Sequence, residues 1–452
     1  MKLQGKKVLV AGTGISGISA AKLLLKLEAK VTLYDGNESM TEEAIIKKMG
    51  GAEVSCIIGE MTEEMAKNFD LMVLSPGISA FGPFAMLFKN QNIPVWGEIE
   101  LAYQASKGKI AAITGTNGKT TTTALVGEIL KAHFAKTFVV GNIGIPYTSV
   151  AMDTTEDCAI AAEISSFQLE TAIDFCPTVS AVLNVTPDHL DRHGSMENYA
   201  DTKLSISKNQ KKDQVLVLNF DDPITRAMGA KTDASVFYFS RKEELYYGAY
   251  IKDGTFVLSY EDDVHEICKI SELNLLGVHN HENVLAAIAI TWFMGVPKET
   301  IHDAVVSFKA VEHRIEYVDT VNGVAYYNDS KGTNPDAAIK GIQAMDRKTV
   351  LIGGGYDKGV AFDEWIESFD GKVTWLILIG ATADQIEETA LRHGFTNIVK
   401  KDTFEEAVKT ASELAKEGEA VLLSPACASW GMFPNYEVRG KMFKEIVRGL
   451  KE

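Results

Sequence analysis

The segment of the chain best suited to chemistry is the run Gly115, Thr116, Asn117, Gly118, Lys119, Thr120 and Thr121. In such a glycine turn, successive backbone amides bind phosphate oxygens, the lysine neutralises the β- and γ-phosphates, and the hydroxyl after it ligates Mg²⁺. The usual spacing G-x-x-x-x-G-K-[ST] is not kept, because Ile113 stands where the first glycine would fall. The run predicts a nucleotide triphosphate site. ATP is favoured over GTP, since the sequence holds no [NT]-K-x-D element for guanine.

Side chains that could bind a metal follow two other apolar runs. Glu163 comes directly after one of them, and His189 lies in the polar segment after the next. Oxygen and nitrogen donors beside a nucleotide suit Mg²⁺, whereas zinc would favour cysteine or more histidine. Either residue alone could belong to an ordinary polar loop. The run at residues 115–121, called the lysine turn below, favours the metal interpretation. Lys203 lies on a helix predicted over residues 196–208, where spacing alone predicts a solvated lysine.

A second glycine turn, Gly12-x-Gly14-x-x-Gly17, follows the first apolar run of the chain, and Asp35 ends the next run. These glycines permit a tight turn and a close backbone approach, so that a diphosphate can lie on the N-terminus of the following helix. An NAD enzyme and a sugar-nucleotide enzyme are both compatible with this pattern. A glycine turn needed only for packing a helix on a strand is a third possibility.

Polar segments also follow apolar runs in the last third of the chain, at residues 327–335, 355–359 and 424–430. Ligand contacts in α/β proteins concentrate at such strand ends, so all three segments are candidate binding loops. Cys427 lies in the last of them. It has no CxxC partner and no base nearby in the sequence, so we predict a structural role rather than a nucleophilic one.

The elements that must position these residues alternate between short aliphatic strands and amphipathic helices. In the first hundred or so residues, strands are predicted at residues 7–11, 30–34 and 71–74. Such alternation predicts an α/β protein built on mainly parallel sheets. A length of 452 residues suggests about three domains, and we place them at 1–106, 107–310 and 311–452. A polar strand-and-turn stretch around 235–270 is expected at the edge of the central sheet.

Composition excludes several classes of function. The formal net charge of −16 disfavours nonspecific binding to nucleic acid. No apolar run approaches the roughly 18–20 residues that a membrane helix needs, so no membrane insertion is expected. The first ten residues are predicted to form a strand rather than a signal peptide. Five cysteines without a CxxC pair indicate a reduced, cytoplasmic protein.

With these patterns in view, the chain resembles the Mur ligases, the ATP-dependent amide-forming family of peptidoglycan precursor synthesis. The matching segments follow the family order along essentially the whole chain: TGTNGKT (114–120), GNIG (141–144), EISSFQLE (163–170), NVTPDHLDRH (184–193), HNHEN (279–283), HR (313–314), NDSKGTNP (328–335) and SPACAS (424–429). GTGISG at 12–17 together with SSFQLE is most similar to the member that adds D-glutamate to UDP-N-acetylmuramoyl-L-alanine. Folylpolyglutamate synthetases share the later segments but typically lack such an N-terminal domain.

The resemblance implies a Rossmann-like N-terminal domain, a P-loop ATPase-like central domain and a Rossmann-like C-terminal domain. It implies that the UDP-substrate contacts are Gly14, Ile15, Ser16, Asp35, Ser75, Pro76, Gly77, Asn142 and Gln168. Besides the lysine turn, the implied ATP contacts are Asn283, Arg314 and Asp329. The implied D-glutamate contacts are Lys331, Thr333, Lys358, Ser429 and Tyr436. The implied ligands of two Mg²⁺ ions are Thr120, Glu163, His189 and a CO₂ carbamate on Lys203. Gly36 and Asn37 depart from the family pattern, which weakens the uridine assignment there.

The implied reaction starts when the carboxylate of UDP-N-acetylmuramoyl-L-alanine attacks the γ-phosphate of ATP, which gives an acyl phosphate and ADP. The amine of D-glutamate then displaces phosphate, and closure of the third domain is expected to exclude water. A cytoplasmic monomer with small-molecule substrates is expected. Three alternatives stay open: a ligase for another amino acid, an NAD-dependent dehydrogenase and a non-catalytic nucleotide-binding regulator.

Overall fold

The computed structural model describes residues 2–309 and 311–451. The chain divides into two compact units. The first contains the residues up to Glu272 together with Glu282–Val306, and the second contains Leu273–His281 and the residues from Ser307 onward. Two sheets lie in the first unit and one in the second. The domain limits predicted near residues 106 and 310 stay predictions.

The first sheet has five parallel strands in the order β3-β2-β1-β4-β5. Its elements are β1 (Lys7–Ala11), α1 (Ile15–Lys26), β2 (Lys30–Asp35), α2 (Glu42–Met49), β3 (Ser55–Ile58), α3 (Glu63–Ala66), β4 (Leu71–Leu74), α4 (Pro83–Lys89), β5 (Val95–Gly97) and α5 (Glu98–Ala105). The predicted third strand at 71–74 is therefore the fourth. β3 was not predicted, because this edge strand is only half-buried and carries a short apolar run.

The second sheet has nine strands in the order β14-β13-β12-β11-β10-β9-β6-β8-β7. Its strands are β6 (Lys109–Thr114), β7 (Thr137–Gly141), β8 (Ala159–Glu163), β9 (Val179–Val182), β10 (Val215–Asn219), β11 (Ser235–Ser240), β12 (Gly248–Lys252), β13 (Thr255–Tyr260) and β14 (Asp263–Lys269). Its helices are α6 (Lys119–His133), α7 (Ser166–Leu169), α8 (Leu190–His193), α9 (Met196–Leu204), α10 (Pro223–Met228), α11 (Val278–Phe293) and α12 (Lys298–Ser307). Only β12, β13 and β14 pair antiparallel, which confirms the predicted edge excursion around 235–270.

The third sheet has the order β15-β16-β20-β17-β18-β19, and only β15 and β16 pair antiparallel. Its strands are β15 (Glu316–Val321), β16 (Val324–Asn328), β17 (Thr349–Gly354), β18 (Val373–Ile379), β19 (Ile398–Lys400) and β20 (Ala420–Leu423). Its helices are α13 (Pro335–Ala344), α14 (Asp363–Glu367), α15 (Ala383–Arg392), α16 (Phe404–Leu414) and α17 (Tyr436–Gly449).

Alternation along the strands explains why helices cover both faces of this sheet. In β17, Leu351 packs with residues of α13, α14 and α15, whereas its neighbours Val350 and Ile352 pack with residues of α16 and α17. A parallel strand buried on both faces reads as a continuous aliphatic run, as β17 does. The predicted α/β class with three mainly parallel sheets is confirmed.

Two further predictions concern helices. The helix predicted over 196–208 is regular only to Leu204, and a 3-10 turn at Ser205–Ser207 follows it. The hydroxyls of Ser205 and Ser207 donate to the carbonyls of Thr202 and Leu204, which favours the tighter turn. Every helix in the described part of the chain is too short or too polar to cross a membrane.

Candidate functional site

The candidate residues of the central sheet lie where four neighbouring parallel strands end. The order β9-β6-β8-β7 places the turn after β6 between the ends of β9 and β8. Asn184 follows β9, Glu163 ends β8 and Asn142 follows β7. The parallel register therefore brings together segments that are up to about seventy residues apart in the sequence, as open α/β sheets do for their ligands.

The lysine turn is fastened to the segment after β9. The amide of Asn117 donates to Asn184 Oδ1 at 2.8 Å, and Asn184 Nδ2 donates back to the Asn117 carbonyl at 3.1 Å. The Thr116 hydroxyl donates to the Thr186 carbonyl at 3.2 Å and accepts from the Thr186 amide at 3.1 Å. These reciprocal bonds hold the turn in one conformation, and they occupy the amide of Asn117.

The turn ends at Gly118, whose left-handed backbone favours glycine. Gly118 has φ 82° and is the N-cap of α6. A Cβ atom at Gly118 would lie 2.2 Å from Asn283 Oδ1, and the same oxygen accepts from the Thr122 hydroxyl at 3.2 Å. Thr120 and Thr121 are buried in the first turn of α6. The structure thus brings Asn283 beside the lysine turn, and its role toward ATP stays a prediction.

Two lysine side chains converge on one carbonyl oxygen of this turn. Lys119 Nζ donates to Gly115 O at 2.8 Å, and Lys203 Nζ donates to the same oxygen at 2.9 Å. Lys203 is 1% exposed and its Nζ lies 4.4 Å from the centre of the Tyr199 ring. Burial and then the charge of Lys119 lower the pKa of Lys203 to about 6. The prediction from spacing alone, that Lys203 is solvated, is therefore wrong, because α9 turns this side chain toward the sheet.

Glu163 is the buried acidic group of the site. It is 1% exposed, and its Oε1 accepts from Asn142 Nδ2 at 2.7 Å. Its other oxygen, Oε2, is buried and has no hydrogen-bond partner among the described residues. A buried carboxylate oxygen without a partner is costly unless a cation or a ligand meets it. This donor fits Mg²⁺, which prefers oxygen ligands.

His189 is placed differently. It precedes α8 with φ 51°, half of its side chain is exposed, and its Nε2 lies 3.5 Å from Asp188 Oδ2. Its ring contacts the Phe167 ring at a centroid distance of 4.9 Å. Within residues 2–309 and 311–451 the structure holds no preassembled group of three His, Cys, Asp or Glu side chains that could bind a metal. The metal-binding roles of Glu163 and His189 stay predictions.

The first glycine turn packs α1 tightly on its sheet. A Cβ atom at Gly17 would lie 1.8 Å from Gly12 O, and one at Gly12 would lie 2.6 Å from Ser75 Oγ. Gly14 and Ser16 begin α1, and Ile15 beside them is 80% exposed. These distances account for Gly12 and Gly17 by packing alone.

Asp35 and the turn after β4 complete the predicted UDP-substrate region. Asp35 Oδ2 accepts from the Thr13 hydroxyl, and its Oδ1 accepts from the Asn37 amide at 3.0 Å. Ser75 Oγ is buried without a hydrogen-bond partner in the described chain. Asn37 caps its own turn by accepting from the Ser39 amide at 3.1 Å. The departure at Gly36 and Asn37 is thus a self-contained turn.

A cavity lies beside the first glycine turn, and of its walls the sequence predicted only Gly14 and Ile15. Its volume is about 590 Å³, and it is lined by Thr13, Gly14, Ile15, Ile18, Ser19, Lys22, Lys48, Ile145, Pro146 and Ser149. Lys48 Nζ donates to the Thr13 carbonyl at 3.1 Å, so α2 supplies a positive charge close to the first glycine turn. The spacing of residues 15, 18, 19 and 22 on one face of α1 is the only sequence signal for this wall.

Gln168 has a structural role that its sequence motif does not indicate. Its Oε1 accepts from the Ser165 amide at 2.9 Å, while the Ser165 hydroxyl accepts from the Gln168 amide at 3.3 Å. This reciprocal pair is a capping box at the start of α7. The side chain is buried, and its predicted contact with the muramoyl-alanine part of a substrate stays a prediction.

The second unit carries a buried acid at the end of β16. Asp329 is 3% exposed, and its Oδ2 accepts from the Ser424 hydroxyl at 2.7 Å. Burial raises the pKa of Asp329 to about 6, against the opposing effects of the Ser424 hydrogen bond and the Arg314 charge. Arg314 Nε is buried without a hydrogen-bond partner among the described residues. These two residues are thus electrostatically coupled.

Four of the five residues predicted to receive D-glutamate lie on three strand-end loops of the second unit, and the fifth, Tyr436, begins α17. Lys331 Nζ lies 5.7 Å from the centre of the Tyr436 ring, and Lys358 Nζ lies 5.0 Å from the centre of the Trp430 ring. The Thr333 amide donates to the Lys331 carbonyl at 2.9 Å, and Ser429 is buried. Cys427 is also buried, which raises the pKa of its thiol to about 11 and agrees with the predicted structural role.

Arg439, whose role the sequence analysis did not identify, ties two of these loops together. It is fully buried on α17 and donates to the Ser330 hydroxyl at 3.0 Å, to the Ser330 carbonyl at 2.7 Å and to the Cys427 carbonyl at 3.2 Å. Burial lowers the pKa of its guanidinium to about 10. An arginine in a helical pattern gives no sequence signal for such a role, because solvated arginines have the same spacing.

Three domain profiles match consecutive parts of the chain. The profile described as Mur ligase MurD-like, N-terminal domain, matches residues 6–97. The Mur ligase middle domain matches residues 113–291, and the Mur ligase, glutamate ligase domain, matches residues 313–427. Each of the three sheets therefore lies largely within one matched region.

Two solved structures with the same fold are distant in sequence. The chain is similar to the UDP-N-acetylmuramate-alanine ligase MurC of Thermotoga maritima, with TM-score 0.62, 19% identity and coverage of 98% of this chain and 99% of that one. It is also similar to the MurF ligase of Thermotoga maritima in complex with ADP, with TM-score 0.58, 18% identity and coverage of 99% and 96%. At this identity the likeness concerns the fold.

Curated relatives are much closer in sequence. A UDP-N-acetylmuramoylalanine--D-glutamate ligase of Lachnospira eligens is 53% identical, and one of Clostridioides difficile is 44% identical. Each alignment covers 100% of this chain and 100% of the relative. Identity of this level over the full length, together with the matched domains, shows that the chain belongs to the Mur ligase family.

Proposed function

We propose that the protein is an ATP-dependent ligase that joins D-glutamate to UDP-N-acetylmuramoyl-L-alanine in peptidoglycan precursor synthesis. The observation that carries this proposal is full-length identity of 53% to a relative of that name, which extends through all three sheets. An NAD-dependent dehydrogenase would leave the lysine turn at Gly115–Lys119 without a use. A non-catalytic regulator would not need the buried carboxylate of Glu163.

The chemistry needs charge neutralisation more than a nucleophile. The carboxylate oxygen of the UDP-substrate attacks the γ-phosphorus, the bond to the bridging oxygen breaks, and ADP leaves. The amine of D-glutamate then attacks the acyl carbon, loses a proton to solvent, and phosphate leaves. Preorganised donors aimed at developing charge are the main source of rate in such transfers. The Lys119 ammonium, which donates to Gly115 O in the turn, would supply such a donor, whereas the Thr116 and Asn117 amides already donate to Asn184.

Magnesium fits the residues that surround the turn. Thr120 and Glu163 would hold it, with His189 from the adjacent loop, and bound Mg²⁺ neutralises phosphate charge. Glu163 Oε2 is the strongest support, because it is a buried anionic oxygen with no hydrogen-bond partner in the described chain. Asn142 fixes the other oxygen of this carboxylate, so Oε2 keeps one orientation.

We also propose that Lys203 carries CO₂ as a carbamate. Its amine nitrogen would attack the carbon of CO₂ and release one proton to solvent, a step that needs the neutral amine. Burial and the charge of Lys119 lower its pKa to about 6, against an opposing effect of Asp188, so the amine is mostly neutral at pH 7. A carbamate beside Lys119 replaces repulsion between two ammonium groups with attraction.

The carbamate is tested with Lys203→Ala and Lys203→Arg. Both variants should lose nearly all turnover, and a short carboxylic acid should restore part of it in Lys203→Ala only. Lys231→Arg is the matched control, because Lys231 is exposed and reaches α9 only through an ion pair with Asp201. Near-normal turnover of Lys203→Arg would contradict the carbamate. Carbon-13 NMR with labelled bicarbonate checks it without reference to activity.

The proposed ligase reaction is tested by phosphate release. Purified protein receives ATP, Mg²⁺ and UDP-N-acetylmuramoyl-L-alanine, and the amino acid is varied over D- and L-glutamate, L-alanine and L-lysine. Phosphate release should require D-glutamate, and mass spectrometry should find the matching product. Equal turnover with L-glutamate would refute the acceptor, and product formed with NAD in place of ATP would refute the reaction class.

We also propose a location, an assembly state and a cellular role for the enzyme. The enzyme acts in the cytoplasm, since the cysteine pattern is that of a reduced protein. It works as a monomer, and its product links it to cell shape and cell division. Light scattering of the purified protein and fractionation of cells test the first two points.

A further inference from the structure

Arg192 connects three segments of the first unit through one guanidinium group. Its Nε donates to Glu170 Oε1 at 3.0 Å and its Nη2 donates to Glu170 Oε2 at 2.6 Å. Its Nη1 donates to the Pro76 carbonyl at 3.2 Å, and Nη2 also donates to the Ile78 carbonyl at 3.3 Å. The Arg192 side chain is 17% exposed and that of Glu170 3%. A two-point arginine–carboxylate pair that is this well buried is geometrically specific.

The same guanidinium also contacts the ring of Phe167, an aromatic neighbour of His189. Its central carbon lies 4.1 Å from the centre of the Phe167 ring. Phe167 in turn contacts His189 at 4.9 Å and stacks on His193 at 5.7 Å, centre to centre. The Arg192 guanidinium, which belongs to the same segment as His189, therefore lies between the turn after β4 and the Phe167 ring.

Arg192 bonds the turn after β4 to the central sheet region. The backbone amides of this turn bond within the first sheet and its loops. The Ser75 amide donates to Ala11 O and the Ile78 amide donates to Ser75 O, both at 3.0 Å. The carbonyls of Pro76 and Ile78 point the other way and accept from Arg192, which belongs to the central sheet region. One residue thus spans from the proposed UDP-substrate turn to the sheet that carries the lysine turn.

We infer that Arg192 is a positioning residue that sets the place of the UDP-substrate relative to the lysine turn by fixing residues 75–78. The inference rests on the proposed function, which assigns Ser75, Pro76 and Gly77 to that substrate. Arginine is required because a planar fork can serve a carboxylate on one edge and two carbonyls on the other. A lysine keeps the charge but offers a single nitrogen.

The experiment compares Arg192→Lys with Arg226→Lys. Arg226 on α10 is the matched control, because its guanidinium also lies on an aromatic ring. Its central carbon is 4.9 Å from the centre of the Phe220 ring. Arg192→Lys should raise the KM for the UDP-substrate about tenfold, since it loses several charge-assisted hydrogen bonds, and change the KM values for ATP and D-glutamate less than about twofold. The kcat should fall by less than the KM rises. Arg226→Lys should leave all these constants unchanged.

Hydrogen exchange supplies a readout that does not need turnover. Amides 77–82 should exchange faster in Arg192→Lys than in the parent protein, while amides 116–123 of the lysine turn and α6 stay protected. Glu170→Gln should cause a smaller change of the same kind. The double variant should be no worse than Arg192→Lys alone, because both remove one shared arrangement.

Several outcomes would overturn the inference. Unchanged exchange in amides 77–82, or equal shifts in all three KM values together with a lowered melting temperature, would reduce Arg192 to a general structural residue. A parent protein without turnover would refute the proposed function alone. In that case exchange, and calorimetric binding of UDP-N-acetylmuramoyl-L-alanine to parent and variant, still decide the role of Arg192.

Discussion

The two glycine turns of the first unit start alike and end differently. Both follow the strand that opens a sheet, and both lead directly into a helix, α1 after Gly14 and α6 after Gly118. The first turn carries no lysine, and its glycines permit contact between α1 and β1 at a backbone oxygen. The second turn has Lys119 at its end and is fastened by the side chain of Asn184 and the backbone of Thr186.

This difference separates two ways of binding phosphate. A turn without a charged side chain recognises a diphosphate through backbone amides and the helix N-terminus, which suits a ligand that is only held. A turn with a lysine places a full positive charge against the phosphate that is transferred, which suits a reaction. We therefore expect mutations in the first turn to act on substrate binding or folding, and those in the second to act on the rate.

The largest effect is expected for Lys119→Ala. Turnover should fall by about 10²–10³-fold or more, since the variant removes a charge aimed at the transferred phosphate. Calorimetric binding of the UDP-substrate should stay within about twofold, because its proposed site is the other turn. Lys131→Ala is the control, a solvated lysine at the far end of the same helix, α6. Loss of UDP-substrate binding in Lys119→Ala would mean that the two turns have been assigned the wrong way round.

The sequence predicted the parts of this comparison that depend on local patterns. Aliphatic runs that end in glycine turns predicted β1, β6 and the parallel sheets, because buried parallel strands leave that signature. The lysine turn, Glu163 and Asn184 were predicted to lie at strand ends, and the order β9-β6-β8 brings them together. Family resemblance supplied the individual roles.

What the sequence could not predict depends on tertiary contacts. Lys203 has the spacing of a solvated lysine, and only the packing of α9 shows that it is buried beside Gly115. Lys48, Arg192 and Arg439 occupy ordinary helical positions, and their hydrogen bonds go to backbone carbonyls of distant segments. Backbone carbonyls are identical at every residue, so no residue type marks these partners in advance.

A second effect is expected for Gly17→Ala, which acts on folding. The new Cβ would lie 1.8 Å from Gly12 O, a backbone atom that cannot move without shifting α1 from β1. The free energy of unfolding should fall by about 3 kcal/mol, the upper part of the range for overpacking. Urea unfolding measures it. Gly449→Ala is the control, a helical glycine with no atom within 4 Å of its added Cβ. A stable Gly17→Ala protein would show that the turn is looser than the structure indicates.

Gly118→Ala should have a smaller effect on folding and a marked one on ATP. Alanine at φ 82° costs about 1–2 kcal/mol, and the Asn283 amide can rotate away from the added Cβ. That rotation breaks its hydrogen bond with Thr122, so the KM for ATP should rise while the KM for the UDP-substrate stays constant. Thr122→Val removes the same hydrogen bond without backbone strain and separates the two causes. An unchanged KM for ATP in both variants would contradict the predicted role of Asn283.

The smallest effect on folding is expected for Gly14→Ala. Gly14 has φ −75°, and no atom lies within 4 Å of its added Cβ. The free energy of unfolding should fall by only about 0.5 kcal/mol, because alanine is a poorer N-cap than glycine. The methyl group would nevertheless project from the turn where the diphosphate is proposed to approach the backbone. The KM for the UDP-substrate should therefore rise several-fold at constant KM for ATP, the reverse of the result for Gly118→Ala. If the KM for the UDP-substrate does not change, the substrate does not approach the backbone at Gly14.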